Sequence, residues 1–130
     1  MKTEDFAYIV ETKKSFNEAV IAVLKEVDQK GWTIFQVYDI PERLAAKGFQ
    51  QEPLKIIEIC SGKYAHAFLK KNQLVSLCLP CKINVFMEEG VVNIVGVKPS
   101  MLTQLFPEIA PEEAVAVERE IIGIINAAAA

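Results

Sequence analysis

The hydrophobic and polar positions of this chain follow two periods, one typical of strands and one typical of helices. Five short runs rich in β-branched and aromatic residues predict strands, and they cover residues 6–10, 32–38, 54–59, 77–87 and 91–97. Between these runs, apolar side chains recur every three or four residues, which predicts helices. The clearest helix begins with a capping-box pattern, Ser15 and Glu18, and ends at Gly31.

The last two predicted strands form a hairpin. Residues 77–87 and 91–97 flank Glu88-Glu89-Gly90, and Gly90 supplies the positive φ that a tight turn needs. The order of elements is therefore strand-helix-strand-helix-strand-helix-hairpin-helix. It predicts an α+β fold in two layers, a mainly antiparallel sheet with helices packed on it. No linker or repeat interrupts the pattern, so we expect residues 1–130 to form a single domain.

The closing helix predicts how two copies of the chain would associate. It begins at Pro111 and carries four closely spaced isoleucines, Ile121, Ile122, Ile124 and Ile125. Four side chains at these positions cannot share one narrow stripe, so the helix is apolar around much of its girth. One sheet face would cover only part of it, and an exposed apolar patch usually marks an interface. We therefore expect a homodimer formed through this C-terminal helix.

Composition and charge exclude several function classes. The formal net charge is −3, and the basic pairs Lys13-Lys14 and Lys70-Lys71 stand apart among acids. Nucleic-acid binding needs a clustered basic face, so we expect none. No stretch approaches the roughly 18 apolar residues of a membrane span. The first residues include Glu4 and Asp5 and do not resemble a signal peptide. We therefore expect a cytoplasmic protein whose cysteines are thiols.

The three cysteines mark the positions where chemistry would be concentrated. Cys60 ends the third predicted strand and precedes Ser61 and Gly62 at a helix N-terminus. Backbone N–H groups and the helix dipole at such a place favour a thiolate or a bound anion. Cys78 and Cys81 have the CxxC spacing of redox dithiols and of half a zinc site. The weak candidate for a metal site is the Cys₃His set of Cys60, Cys78, Cys81 and His66.

Structural interpretations of the same residues stay open. A free cysteine often packs as a small apolar side chain, and His66 lies off the buried stripe of its predicted helix. A redox CxxC usually opens a helix, whereas strand residues 82–87 follow this one. In an extended chain Cys78 and Cys81 would be about 10 Å apart, too far for a disulfide unless a cis-proline turn intervenes.

Strand alternation separates these two cysteines further. It places Leu77, Cys81 and Ile83 on one face of the strand and Cys78 on the other. We therefore expect no Cys78–Cys81 disulfide in the native protein. If any two cysteines act together, we expect them to be Cys60 and Cys81.

Several short motifs resemble a known family. They are the Glu58-Ile59-Cys60 strand end, the Leu79-Pro80-Cys81 step into the hairpin, Pro99 after it, and the closing Pro-Glu-Ile-Ala…Glu-Arg-Glu-Ile-Ile helix. Together they resemble the domain of unknown function 302 family, in the same element order over the whole chain. The resemblance implies a small two-layer fold, often dimeric, and no settled activity. The family usually has Asn-Pro after the first of these cysteines, where this chain has Ser61-Gly62, and Cys78 is an addition.

Three functional hypotheses follow. The preferred one is a binding module that holds a small ligand or metal near Cys60 and Cys81, with Ser61 and Gly62 beside them. The second is a thiol enzyme that uses Cys60 or Cys81 in sulfur transfer or thiol exchange. The third is a structural or interaction protein with core cysteines. A single histidine and no recognisable acid–base dyad leave little for catalysis, so binding is preferred. The sequence specifies no cofactor.

Overall fold

A single five-stranded sheet forms the centre of the fold in this computed structural model, which describes residues 1–130. The strands are β1 (Ala7–Thr12), β2 (Thr33–Asp39), β3 (Leu54–Cys60), β4 (Cys81–Glu88) and β5 (Val91–Val97). Their order across the sheet is β1-β5-β4-β3-β2, and every neighbouring pair is antiparallel. The predicted α+β class is confirmed. The hairpin is confirmed too, with Gly90 at a φ of 79°.

Six helices and two short 3₁₀ segments complete the fold. The helices are α1 (Thr3–Phe6), α2 (Phe16–Gln29), α3 (Ile40–Ala45), α4 (Gly62–Lys71), α5 (Leu102–Leu105) and α6 (Pro111–Ala129). The 3₁₀ segments are Gln73–Cys78 and Pro99–Met101. The capping box of α2 is present, because Ser15 Oγ accepts from the Glu18 N–H and Glu18 Oε1 accepts from the Ser15 N–H. None of the helices combines the length and hydrophobicity of a membrane span.

Helices α2 and α6 pack against each other and cover one face of the sheet. Alternate strand residues are buried beneath them: Ile57 and Ile59 of β3, Ile83 and Val85 of β4, and Val92 and Ile94 of β5. The approach is close at Gly96, where a Cβ, if one were present, would lie 2.7 Å from Cδ1 of Ile125. The absence of a side chain at Gly96 therefore lets α6 lie against β5.

The prediction of a strand over residues 77–87 is wrong in its first four residues. Gln73–Cys78 is a 3₁₀ segment, and β4 begins only at Cys81. The Asn72 side chain caps that segment by accepting from the Leu74 N–H at 2.9 Å, and Pro80, after a cis peptide bond, has no N–H to give to a ladder. Leu77 is 81% exposed and lies outside the strand. The predicted alternation therefore applies only from Cys81 onward.

The exposed patch predicted on the closing helix is also wrong. Ile121, Ile124 and Ile125 are buried within the chain, and Ile122 is half-buried. The reason is that α6 contacts both the sheet and α2, so two sides of the helix are covered rather than one. The homodimer stays a prediction, but α6 lacks the exposed apolar patch on which its assignment to this helix depended.

Candidate functional site

A cavity of about 290 Å³ lies where the end of β3, the start of α4 and the segment before β4 come together. Fourteen residues line it, eleven of them hydrophobic and none of them charged. Six carry the argument below: Trp32, Cys60, Ser61, Tyr64, Ala65 and Cys81. An apolar concave site with a few polar groups is the usual form of a small-molecule site.

Two aromatic rings form one wall of the cavity, and a carboxylate on α6 holds both. The ring centroids of Trp32 and Tyr64 are 6.3 Å apart, with an interplanar angle of 45°. Trp32 Nε1 donates to Glu120 Oε1 at 2.9 Å, and Tyr64 Oη donates to Glu120 Oε2. Because Trp32 is only 6% exposed, its N–H depends on this acceptor. Glu120 therefore fixes how both rings face the cavity.

The charge state of Glu120 follows from its partners. Burial raises the pKa of this carboxyl, but the hydrogen bonds from Trp32 and Tyr64 and the charges of Lys63 and Lys30 lower it, and the net pKa is below its usual value. The pKa of Tyr64 is raised, because its hydroxyl donates to Glu120. At neutral pH the wall is therefore held by a carboxylate that accepts from two neutral donors.

This group of three residues was not predicted from the sequence. Glu120 is 88 residues from Trp32 and 56 from Tyr64, so no local spacing connects them. One weak signal exists, since Tyr64 precedes the buried Phe68 by one helical turn and so faces the same side of α4. Nothing comparable points to Glu120.

Cys60 and Cys81, the predicted functional pair, both line the cavity. Cys60 ends β3 and Cys81 begins β4, where it pairs with Ile59. Burial raises the pKa of Cys60. Burial and, after it, the neighbouring Cys60 thiol raise the pKa of Cys81 to about 11, against a smaller lowering by Lys82. Burial therefore works against the thiolate that the helix N-terminus is expected to favour at Cys60.

The other predicted site residues lie in different places. Ser61 lines the cavity and is the N-cap of α4 without a side-chain capping bond, whereas Gly62 starts the helix and is not among the lining residues. Cys78 lines a second cavity of about 250 Å³, which shares Pro80 and Cys81 with the first.

The Cys₃His metal set is not assembled. His66 is exposed on α4 and lines neither cavity, and no three His, Cys, Asp or Glu side chains are grouped so as to hold a metal ion. Cys78 lines the neighbouring cavity with Cys81 rather than the cavity that Cys60 and Cys81 share, and His66 reaches neither. All three cysteines are free.

Comparison with known proteins gives a family and a fold. The family model described as "Domain of unknown function DUF302" matches residues 8–128. A crystal structure of an uncharacterized conserved DUF302 protein from Bacillus stearothermophilus superposes with a TM-score of 0.88 at 29% sequence identity, over 95% of this chain and 98% of that chain. No curated protein matches the sequence.

Proposed function

This chain belongs to the DUF302 family, and from its cavity we propose that it binds a small, uncharged, largely apolar molecule beside Trp32 and Tyr64. The observation that carries the proposal is the lining, in which no residue is charged and eleven of fourteen are hydrophobic. An ion transferred into such a lining would lose its hydration without gaining a partner. The ligand class is therefore neutral.

The polar atoms at the cavity suggest one hydrogen-bonding group on the ligand. Ser61 has a hydroxyl that makes no capping bond, and it lies next to Cys60 at the start of α4. Cys60 and Cys81 have raised pKa values and contribute protonated, polarisable thiols that pack well against aromatic rings. A ligand with an apolar body and one neutral polar group fits this arrangement.

The thiol-enzyme alternative has less support. A nucleophilic cysteine needs a substantial thiolate fraction near neutral pH, and burial raises the pKa of both Cys60 and Cys81.

The cytoplasmic location stays our prediction, and the three free cysteines agree with a reducing compartment.

A titration with toluene and benzoate tests the binding proposal. Trp32 is the only tryptophan and lies in the cavity wall, so its fluorescence reports on the site. A ligand as small as toluene should bind with a free energy of about −4 kcal/mol, a Kd on the order of 1 mM. Benzoate has the same ring with a charge and should bind more than about tenfold more weakly.

Two variants of α4 provide the matched control. Ala65→Phe places a ring in the cavity and should abolish the toluene response, whereas His66→Phe adds the same ring at an exposed neighbouring position and should preserve it. Equal toluene responses in both variants, or equal affinities for toluene and benzoate, would contradict the proposal.

The natural occupant can be sought directly. Native mass spectrometry of protein purified without chelator separates the three hypotheses. A bound organic mass supports the binding module, and a persulfide or mixed disulfide supports the thiol enzyme. The bare chain mass supports a structural role.

A further inference from the structure

The face of the sheet opposite α2 and α6, here called the open face, carries a continuous set of apolar side chains. Residues paired across antiparallel strands point to the same side. The register therefore gives a central row of Tyr38, Ile56, Asn84, Val95 and Ile9, one residue from each of the five strands. A second row contains Leu54, Phe86, Asn93 and Glu11.

Several apolar side chains of the open face are in contact with water. Ile9 is 51% exposed and Val91 is 37% exposed, while Ile56, Phe86 and Val95 are half-buried by their neighbours. Antiparallel sheets that face water on one side normally alternate apolar and polar positions. On the open face, four of the five residues of the central row are aliphatic or aromatic, whereas the second row also contains the polar Asn93 and Glu11. A contiguous patch of this kind marks an interaction surface.

Asn84 lies in the middle of the central row and is the polar residue that the monomer leaves without a partner. Its Oδ1 is buried, and no hydrogen-bond donor reaches it. Buried polar atoms in folded proteins almost always have a partner. A second carboxamide brought against this face could both donate to the Asn84 side chain and accept from it.

We propose that the open face is the interface of a homodimer in which two copies pack sheet to sheet, with Asn84 at the two-fold axis. In such a dimer the same patch meets itself, so the residue at the axis must pair with its own copy. A carboxamide meets this requirement because it carries one donor group and one acceptor group.

The charges of the face permit self-association. Glu58 and Lys82 face each other in the register of β3 and β4, so the region near the axis carries one acid and one base. Glu58 accepts from the Tyr38 hydroxyl, and Lys82 donates to the Pro80 carbonyl. A patch with a single sign of charge would repel its copy. The further acids, Glu11 and Glu88, lie at or next to the ends of β1 and β4 and would form part of the rim.

The dimensions of the face also suit a dimer. Five strands at about 4.8 Å spacing and strands of about seven residues at about 3.3 Å each give a face of about 24 by 23 Å. Interfaces of standard size take about 800 Å² of accessible surface from each partner. The flat area of the face is smaller than this, so a dimer of standard size would bury the whole face together with its rim. The isoleucines of α6 offer no such area, since they are buried inside the chain.

Sedimentation of wild type and three lysine variants tests the proposal. We expect a dimer for wild type at 100 µM. Val95→Lys, in the central row, should weaken self-association at least a hundredfold, with the circular dichroism spectrum unchanged. Ile21→Lys changes a 65% exposed isoleucine on α2 and should leave the dimer intact. Ile122→Lys tests the interface through α6 and should also leave it intact.

A cysteine cross-link locates the axis independently. Packed sheets lie about 10 Å apart, which is too far for a disulfide but within reach of a short bis-maleimide. Asn84→Cys should be joined to its own copy by such a reagent, whereas Gln36→Cys, on the outer strand β2 of the same face, should not; wild type measures the background from the native thiols. The proposal would be overturned by a monomeric wild type or by a dimer that survives Val95→Lys. It would also be overturned by dissociation of the dimer in Ile21→Lys or Ile122→Lys, or by cross-linking at Gln36→Cys but not at Asn84→Cys.

Discussion

The substitution Glu120→Gln tests whether one carboxylate holds the aromatic wall of the cavity. Glutamine keeps one acceptor oxygen and replaces the other with an NH₂ group, so at most one of the donors Trp32 Nε1 and Tyr64 Oη stays satisfied. A hydrogen bond to a charged group contributes about 1.5–3 kcal/mol to stability. Glu120 is half-buried, and water replaces part of the interaction that is lost. We therefore expect the free energy of unfolding of the variant at pH 7 to be about 1–2 kcal/mol lower than that of wild type.

The pH dependence of this cost follows from the direction of the pKa shift. The pKa of Glu120 is lower in the folded chain than its usual value. Its contribution is therefore fully present above the unfolded pKa of about 4.3 and is lost as the pH falls through the folded pKa. Protonated Glu120 resembles glutamine in charge. The difference between wild type and variant should consequently be largest near neutral pH and should shrink below about pH 4.

Urea denaturation followed by Trp32 fluorescence measures both quantities. Glu112→Gln is the control, since Glu112 is an exposed carboxylate in the first turn of the same helix. Because the wall loses its anchor, the toluene Kd of Glu120→Gln should rise several-fold, while that of Glu112→Gln should not change. A cost for Glu120→Gln that stays constant from pH 7 to pH 3, or that equals the cost of Glu112→Gln, would refute the reasoning.

Two further predictions follow from packing and from the thiols. Gly96→Ala should lower the free energy of unfolding by about 1–3 kcal/mol, because its Cβ would lie 2.7 Å from Ile125 Cδ1 in a closed core. Adding Ile125→Val removes that Cδ1 atom and should recover part of the loss in urea denaturation. If the costs of the two substitutions simply add, the loss does not come from this contact. Cys81, with a pKa of about 11, should react with iodoacetamide more slowly than Cys60 at pH 8. Peptide mapping of native protein alkylated without oxidant should recover no Cys78–Cys81 disulfide. Faster labelling of Cys81 would contradict the first expectation, and recovery of the disulfide would contradict the second.

Elements specified by neighbouring residues could be predicted from the sequence. The capping box of α2 involves Ser15 and Glu18, three positions apart, and both hydrogen bonds form. Gly31 and Gly90 adopt positive φ at the end of α2 and in the hairpin turn. Each of these features depends on the conformation of a few adjacent residues. A local sequence pattern is therefore sufficient to predict it.

The error before β4 has a physical reason. A short apolar run is compatible with a strand or a helical segment, and periodicity alone cannot separate the two. The alternatives were decided by Asn72, which caps the 3₁₀ segment, and by Pro80, which has no N–H for a ladder. An asparagine directly before the run is a typical helix cap and favours a helical segment. The high β-propensity of the run itself favours a strand, and the prediction followed that propensity.

The candidate site was predictable only where strand order brings its residues together. Cys60 and Cys81 lie at the end of one strand and the start of its neighbour, so the element sequence was enough to suggest that they approach each other, and both line the cavity. Trp32, Tyr64 and Glu120 come from three elements whose contact depends on how α4 and α6 pack on the sheet. No local pattern encodes that packing.

The closing helix shows why an apolar surface in a sequence does not identify what covers it. Its isoleucines indicated a partner chain, yet the sheet and α2 bury them inside the chain. Glu120, directly before this cluster, is the acceptor that anchors the cavity wall. Because α6 is used for the core and for the site, its buried isoleucines are not available to a partner chain. The open face has neither task, and its central row ends in the half-exposed Ile9 and includes the unpaired Asn84 oxygen. Self-association through the open face would therefore leave the core and the cavity unchanged.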